Sequence, residues 1–156
     1  MGGVNMALFA GNYTHNMDKN NRLFIPSKIR DLLDKTFLLY KPLSGAKCLY
    51  GYTAEDWEDA IRILTENMTA GEELSDLISD VYENLDVVEI DQHNRITVSA
   101  DFCSFANIDK EAYIVGRGRH FEIWNKADYD TKRAERDAAK QAKKDKGENT
   151  AIHLHH

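Results

Sequence analysis

Residues 17–33 read MDKNNRLFIPSKIRDLL, and residues 90–106 read IDQHNRITVSADFCSFA. A shift of 73 positions lays Asp18 on Asp91, Asn21 on Asn94 and Arg22 on Arg95, with Leu23/Ile96 and Ile25/Val98 following. An Asp-x-x-Asn-Arg turn written twice offers two planar guanidinium groups, each with a carboxylate four residues before it. Guanidinium suits bidentate contact with guanine O6 and N7, worth about 1–3 kcal/mol of discrimination per good contact. Two structural alternatives stand beside that reading. Each Asp and Arg could pair within its own turn, a surface pair contributing roughly 0–1 kcal/mol. Or the pairs could cross between repeats, Asp18 with Arg95 and Asp91 with Arg22, and lock two intertwined halves together.

Other chemistry has no matching pattern. The chain has no Gly-rich phosphate loop, no HExxH and no clustered Cys/His ligand set. Gly116-x-Gly118 lacks a third glycine and reads as a hairpin turn. His15, His93 and His120 are scattered, with no nucleophile motif beside them. No enzymatic activity, cofactor, metal or small-molecule substrate is expected. Cys48 and Cys103 form no CxxC pair and read as buried thiols.

The 156 residues carry a net charge of −6, with 42% hydrophobic and 29% charged side chains, as in a soluble globular domain. No run approaches the roughly 18 apolar residues of a membrane span. The first residues lack the basic segment of a signal peptide and the pattern for myristoylation. Charge is unevenly spread. Residues 54–91 hold thirteen acids against Arg62, whereas residues 17–30 hold Lys19, Arg22, Lys28 and Arg30 against Asp18. Residues 132–146 add seven Lys/Arg against three acids. Local field steers a polyanion more than net charge does, so DNA remains an admissible partner.

The elements that must hold the turns also repeat. Asp34-Lys35-Thr36-Phe37-Leu38-Leu39 resembles Asp109-Lys110-Glu111-Ala112-Tyr113-Ile114, and Cys48-Leu49-Tyr50-Gly51-Tyr52 resembles His120-Phe121-Glu122-Ile123-Trp124. Each half reads as strand, tight turn, strand, short helix, strand, strand, longer helix. Asn21 and Asn94 suit a left-handed turn position. Pro26 favours a helix start, with Ile29, Leu32 and Leu33 on one face. Thr53 and Asn125 read as N-caps, with Asp56 and Asp128 three residues on. Residues 54–83 read as a helical pair broken near Thr69-Ala70-Gly71, with Thr69 and Glu72 opening the second helix and the acids forming a solvated face. Residues beyond 131 form a charged helix expected to fray after Gly147, and His153, His155 and His156 belong to a disordered end.

The tandem turns, with NYTHNMDKNNRLFIPSKIR at the front and AYIVGRGRHFEIWNKADYD at the close, resemble the MraZ family of bacterial regulators, within the AbrB/SpoVT-like swapped-hairpin superfamily. The resemblance spans residues of about 7–130. It implies an α+β fold, an intramolecular pseudo-dimer of two β-α-β repeats forming an AbrB/SpoVT-like β-barrel with peripheral helices. Residues 1–156 would form one domain: repeat 1 at about 7–57, a helical insert at about 54–83, repeat 2 at about 85–130, and the tail. It further implies a sequence-specific regulator, a repressor of the division and cell-wall gene cluster, cytoplasmic and nucleoid-associated. Such a protein binds short direct repeats of double-stranded DNA as a closed homo-oligomeric ring. The implied DNA-facing residues are Asp18, Arg22, Asp91 and Arg95, with Lys19 matching the basic character of the first turn; by residue type, Lys19, Lys28 and Arg30 would hold phosphates.

The chain departs from the family where Asn21 and Asn94 replace the usual Gly. It departs again where Thr97-Val98-Ser99 replaces an apolar run ending in Pro, and where Asp101 stands at the position of Lys28. By linear position, Asp101 weakens the second turn. A ring-forming scaffold that has lost DNA binding is the alternative, and an AbrB-type antitoxin, which normally has one repeat, is a third.

Overall fold

The computed structural model describes residues 7–154, with side chains described as far as residue 147. The chain forms two compact units, the first ending at Asn125 and the second beginning at Lys126.

In the first unit the two halves repeat one another. Strand β1 (Asn12–Asn16) leads through a tight turn into β2 (Arg22–Phe24), the short helix α1 (Ser27–Arg30), β3 (Thr36–Tyr40), β4 (Leu49–Tyr52) and α2 (Ala54–Thr65). After α3 (Glu72–Glu83), the second half supplies β5 (Leu85–Glu89), β6 (Arg95–Thr97), α4 (Ala100–Ala106), β7 (Glu111–Gly116) and β8 (Phe121–Asn125). The fold is α+β, and the halves are exchanged. β1 pairs antiparallel with β7 of the other half, and its counterpart β5 pairs with β3. The six-stranded sheet runs β1-β7-β8-β4-β3-β5, an order that reverses into itself when the halves are swapped. The separate β2–β6 ladder bridges the ends of that sheet, β2 beside β1 and β6 beside β5, so eight strands enclose one core.

A pseudo-twofold axis follows from the registers. It crosses the ladder at Leu23↔Ile96, equivalent residues that face each other and are both fully buried. It crosses the large sheet at Tyr50↔Glu122, also equivalent by sequence. Beside that point Gly51 faces Phe121, and a Cβ on Gly51 would stand 2.2 Å from the Phe121 ring. The core gathers Leu23, Ile25, Ile29, Phe37, Leu39 and Leu49 with Ile96, Ile114, Phe121 and Ile123, alternating inward along each strand.

Several local expectations hold and several are corrected. Thr53 caps α2, its Oγ1 accepting from Asp56 N at 3.0 Å. Helix α3 starts after Gly71 at φ 156°, with no side-chain cap, so Thr69 does not open it. Pro26 stands at the N-cap of α1. The chain leaves α1 through tight bonds from Leu32 N to Ile29 O and from Leu33 N to Arg30 O. That tightening turns Leu32 out to solvent while Ile29 stays buried and Leu33 packs on the core. The acidic face of α2 is not wholly solvated: Asp56 is buried, its Oδ1 accepting from Arg119 Nε at 2.8 Å, and Asp59 Oδ2 accepts from Arg119 Nη2 at 2.6 Å. Cys48 and Cys103 are buried.

The second unit is a single helix, α5 (Lys126–Leu154), which continues past Gly147 rather than ending there. Lys126 holds Asp130 one turn on, at 2.6 Å. The side chain of His153, and both His155 and His156, lie outside the described residues.

Candidate nucleic-acid interface

Each Asp-x-x-Asn-Arg turn is closed by its own aspartate. Asp18 N donates to Arg22 O (3.0 Å) and Asn21 N to Asp18 O (3.1 Å); in the second turn Asp91 N donates to Arg95 O (2.8 Å) and Asn94 N to Asp91 O (3.0 Å). The Asp18 carboxylate accepts from Asn20 N at 2.8 Å and Arg22 N at 2.9 Å, and Asp91 accepts from His93 N at 2.7 Å and Arg95 N at 3.0 Å. Asn21 at φ 59° and Asn94 at φ 64° take the left-handed position that Asn tolerates better than other non-glycine residues. The aspartates thus make the turn and then hold the arginine. Arg22 Nε donates to Asp18 Oδ2 at 2.7 Å and Arg95 Nε to Asp91 Oδ2 at 3.3 Å.

These contacts hold both carboxyls below the usual carboxylate range. The backbone N–H of Arg22 leads for Asp18 and that of Arg95 for Asp91; modest burial opposes them, and the neighbouring N–H and guanidinium groups add to the lowering. Both carboxylates are therefore charged across the physiological range.

The turns meet across the axis. Ile25 N donates to Asn94 O at 2.9 Å and Val98 N to Asn21 O at 2.8 Å, so each strand leaves the ladder alongside the other repeat's turn. Arg95 Nη1 comes within 3.7 Å of Asp18 Oδ2, the carboxylate already bound by Arg22. Of the two cross-repeat pairs admissible from sequence, this one forms; Arg22 and Asp91 make none among the described residues. Both guanidinium groups are thereby gathered at one carboxylate and remain partly exposed. With Nε of Arg22 tied back to Asp18, its terminal nitrogens make no hydrogen bond or ion pair among the described residues, and end-on bidentate donation uses such nitrogens.

The remaining candidates divide. Lys19 and Lys28 are exposed and form no ion pair among the described residues. Arg30 is committed to the protein: Nη1 donates to Ile25 O at 2.7 Å, and the guanidinium lies 5.7 Å from the Phe24 ring centre. It braces the entry to α1 more than it offers a free cation. Phe24 also meets His15 at 5.0 Å between ring centres. Two partnerships had no signal in the sequence. Lys41 Nζ pairs with Asp101 Oδ2 at 2.6 Å and lies over Phe102, and Arg119 joins Asp56 and Asp59. Both join residues about sixty positions apart, beyond the reach of local spacing.

Among the described residues, no helix is long and apolar enough to cross a membrane, and no cluster of three or more His, Cys, Asp or Glu side chains is arranged to hold a metal ion.

A family model described as "MraZ protein, putative antitoxin-like" matches the chain twice, over residues 8–77 and 83–150. The chain belongs to the MraZ family. The two matched stretches follow the two structural repeats, so the MraZ unit is the β-α-β half seen here in duplicate. Among MraZ relatives, the chain is 36% identical over 118 residues to the "Transcriptional regulator MraZ" of Mycoplasmoides gallisepticum, covering 76% of this chain and 82% of that protein. It is 28% identical over 124 residues to the "Transcriptional regulator MraZ" of Acetivibrio thermocellus, covering 80% of this chain and 85% of that one.

Proposed function

We propose that this protein is a DNA-binding transcriptional regulator, not an enzyme, and that its Asp-x-x-Asn-Arg turns are the DNA-facing elements. One observation carries the reading: two guanidinium groups from equivalent turns converge on Asp18, one tied by a short bond and both left partly exposed. Arg22 and Arg95 read base edges in a groove, while Lys19 and Lys28 hold phosphates and supply salt dependence. Arg30 acts through its brace on α1. The names of the relatives support a regulator of transcription. The finer reading is repression of the division and cell-wall gene cluster, through short direct repeats bound by a closed ring in the nucleoid. In such a ring, individually weak turns gain from effective concentration on tandem sites.

The alternative is a ring-forming scaffold without DNA binding. It is favoured by the acids of α2 and α3 and by the exposed Ile63, Leu64, Tyr82 and Val87 nearby, which suit a protein contact.

The test measures binding of the wild type and of Arg22→Ala to a labelled duplex from upstream of the protein's own gene, across a salt series. Both proteins are first checked for equal folding and assembly. Steep salt dependence for the wild type and loss of binding for Arg22→Ala is the expected result. Equal binding by both moves the contact away from the turn. No binding at low salt by intact assemblies favours the scaffold.

A further inference from the structure

We infer that each DNA-reading turn draws its phosphate-holding lysine differently: Lys19 serves the Arg22 turn from within, whereas Lys28 serves the Arg95 turn from the other repeat. The inference rests on the DNA-binding reading above. It corrects the linear view, in which residues 17–30 form one basic patch around Arg22.

The strand crossing is what reassigns Lys28. In the antiparallel β2–β6 ladder, Arg22 faces Thr97 and Phe24 faces Arg95. β2 therefore runs away from its own turn and ends beside the second one, where Ile25 N bonds to Asn94 O. Three residues later the chain reaches Lys28, in α1. Reciprocally, Val98 N bonds to Asn21 O, and three residues on stands Asp101, in α4. The helix beside the Arg95 turn thus carries a lysine, and the helix beside the Arg22 turn carries an aspartate.

The composition of the turns complements this arrangement. The first turn has its own cation, Lys19, and the second has Gln92 at the same position. Without Lys28 the second turn would hold no lysine. With it, each turn has one exposed lysine unpaired among the described residues. Asp101, beside the first turn, is exposed and answered by Lys41 at 2.6 Å, so its charge is locally balanced rather than left facing a phosphate. Repeat 1 accordingly furnishes both lysines, and the second turn depends on the first repeat for its grip. The linear expectation that Asp101 weakens the second turn is reversed: Asp101 borders the first.

Phosphate-ethylation interference on the upstream duplex tests the assignment, using the full-length wild type, Lys19→Ala and Lys28→Ala at a salt concentration where all three bind. Both lysines are exposed, so folding is undisturbed, and circular dichroism with light scattering checks this. Each substitution should lower the salt slope by about one. The expected map shows Lys19→Ala and Lys28→Ala losing phosphates on opposite halves of the contact site, with Lys28→Arg restoring its own. Losses on the same half, or an unchanged map for Lys28→Ala, overturn the cross-repeat assignment while leaving DNA binding intact. A wild type that binds no DNA at low salt overturns both.

Discussion

The carboxylate of Asp18 lies 2.7 Å from the guanidinium of Arg22 in its own turn and 3.7 Å from that of Arg95 in the other repeat, whereas among the described residues Asp91 meets one guanidinium, that of Arg95. The two aspartates are equivalent in sequence and unequal in structure. Asp18→Asn releases one edge of both arginines, and Asp91→Asn releases only one. On the proposed function, Asp18→Asn lowers the preference for the upstream fragment over a shuffled duplex by about tenfold, the scale of one base contact. It also raises binding to the shuffled duplex, because a negative charge leaves the face. Asp91→Asn gives a smaller loss. Competition binding with both duplexes reads the two effects separately, and equal losses for the two variants contradict the asymmetry.

Acid should loosen the turns. The folded-state pKa values of Asp18 and Asp91 lie below those of the unfolded chain, so their stabilisation is complete above about pH 3.9 and is lost as pH falls through the lowered values. The amides of Arg22 and Arg95, which donate to these carboxylates, are expected to lose hydrogen-exchange protection in that window. In Asp18→Asn the amide of Arg22 should show no such step.

Alkali acts on the opposite face of the sheet. Burial raises the phenol of Tyr52 to about 12, helped by the neighbouring Tyr50 and Tyr40 and by the charges of Glu122 and Asp56, and burial also raises Tyr40 and Tyr50. A raised phenol stabilises the fold fully below its unfolded value near 10 and loses that contribution as pH climbs toward 12. Absorbance at the phenolate band should therefore show a late step, toward pH 12, from this group. Ordinary titration of all seven tyrosines is the contrary outcome.

Backbone geometry makes Asn21 a sharp probe. At φ 59° the residue occupies a conformation that costs a β-branched side chain about 1–2 kcal/mol and costs glycine nothing. Asn21→Val should lower unfolding stability by that amount and Asn21→Gly by a few tenths at most. Chemical denaturation decides. Equal effects of the two substitutions would mean that the side-chain amide, not the backbone, governs the turn.

Asp56 depends on Arg119. Its side chain is almost wholly buried, Oδ1 is held by Arg119, and Oδ2 has no hydrogen-bond partner among the described residues. Arg119→Ala leaves an uncompensated buried carboxylate, which destabilises more than losing a surface pair does. Arg119→Ala should lower the melting temperature, and Asp56→Asn in the same background should restore part of the loss. A melting temperature unchanged by Arg119→Ala rejects the pairing as a stabilising contact.

Legibility in the sequence follows the range of each interaction. Asn21 and Asn94 announced a left-handed turn because their side chains tolerate it locally, and Thr53 announced a cap for the same reason. The helical pair showed in the spacing of Trp57, Ile61 and Leu64 and of Leu74, Leu77, Ile78 and Val81. The 73-residue repeat disclosed that two equivalent units exist. It carried no information on how they interlock, because the bonds from Ile25 to Asn94 and from Val98 to Asn21 join backbone atoms of any residue type. Lys28 was therefore legible as a basic residue, while the bond three residues before it to the second turn was not. The bond of Arg30 was illegible because its acceptor is a main-chain oxygen. Leu32 fitted an apolar face that the early end of α1 never completes.

Fusion of the two halves into one chain has freed the position on the pseudo-twofold axis from self-complementarity. Two identical chains meeting there would have to oppose the same residue to itself under one codon: two tyrosines, or two glutamates with like charges opposed. Here Tyr50 faces Glu122, a pairing that requires each half to mutate alone. The flanking pairs have diverged as well, Gly51 meeting Phe121 where the equivalent pair is Leu49 with Ile123. A duplicated gene can thus hold an aromatic ring against a carboxylate at its centre of symmetry, and can carry Lys19 in one turn and Gln92 in the other. Separating the repeats into two identical chains would give up both.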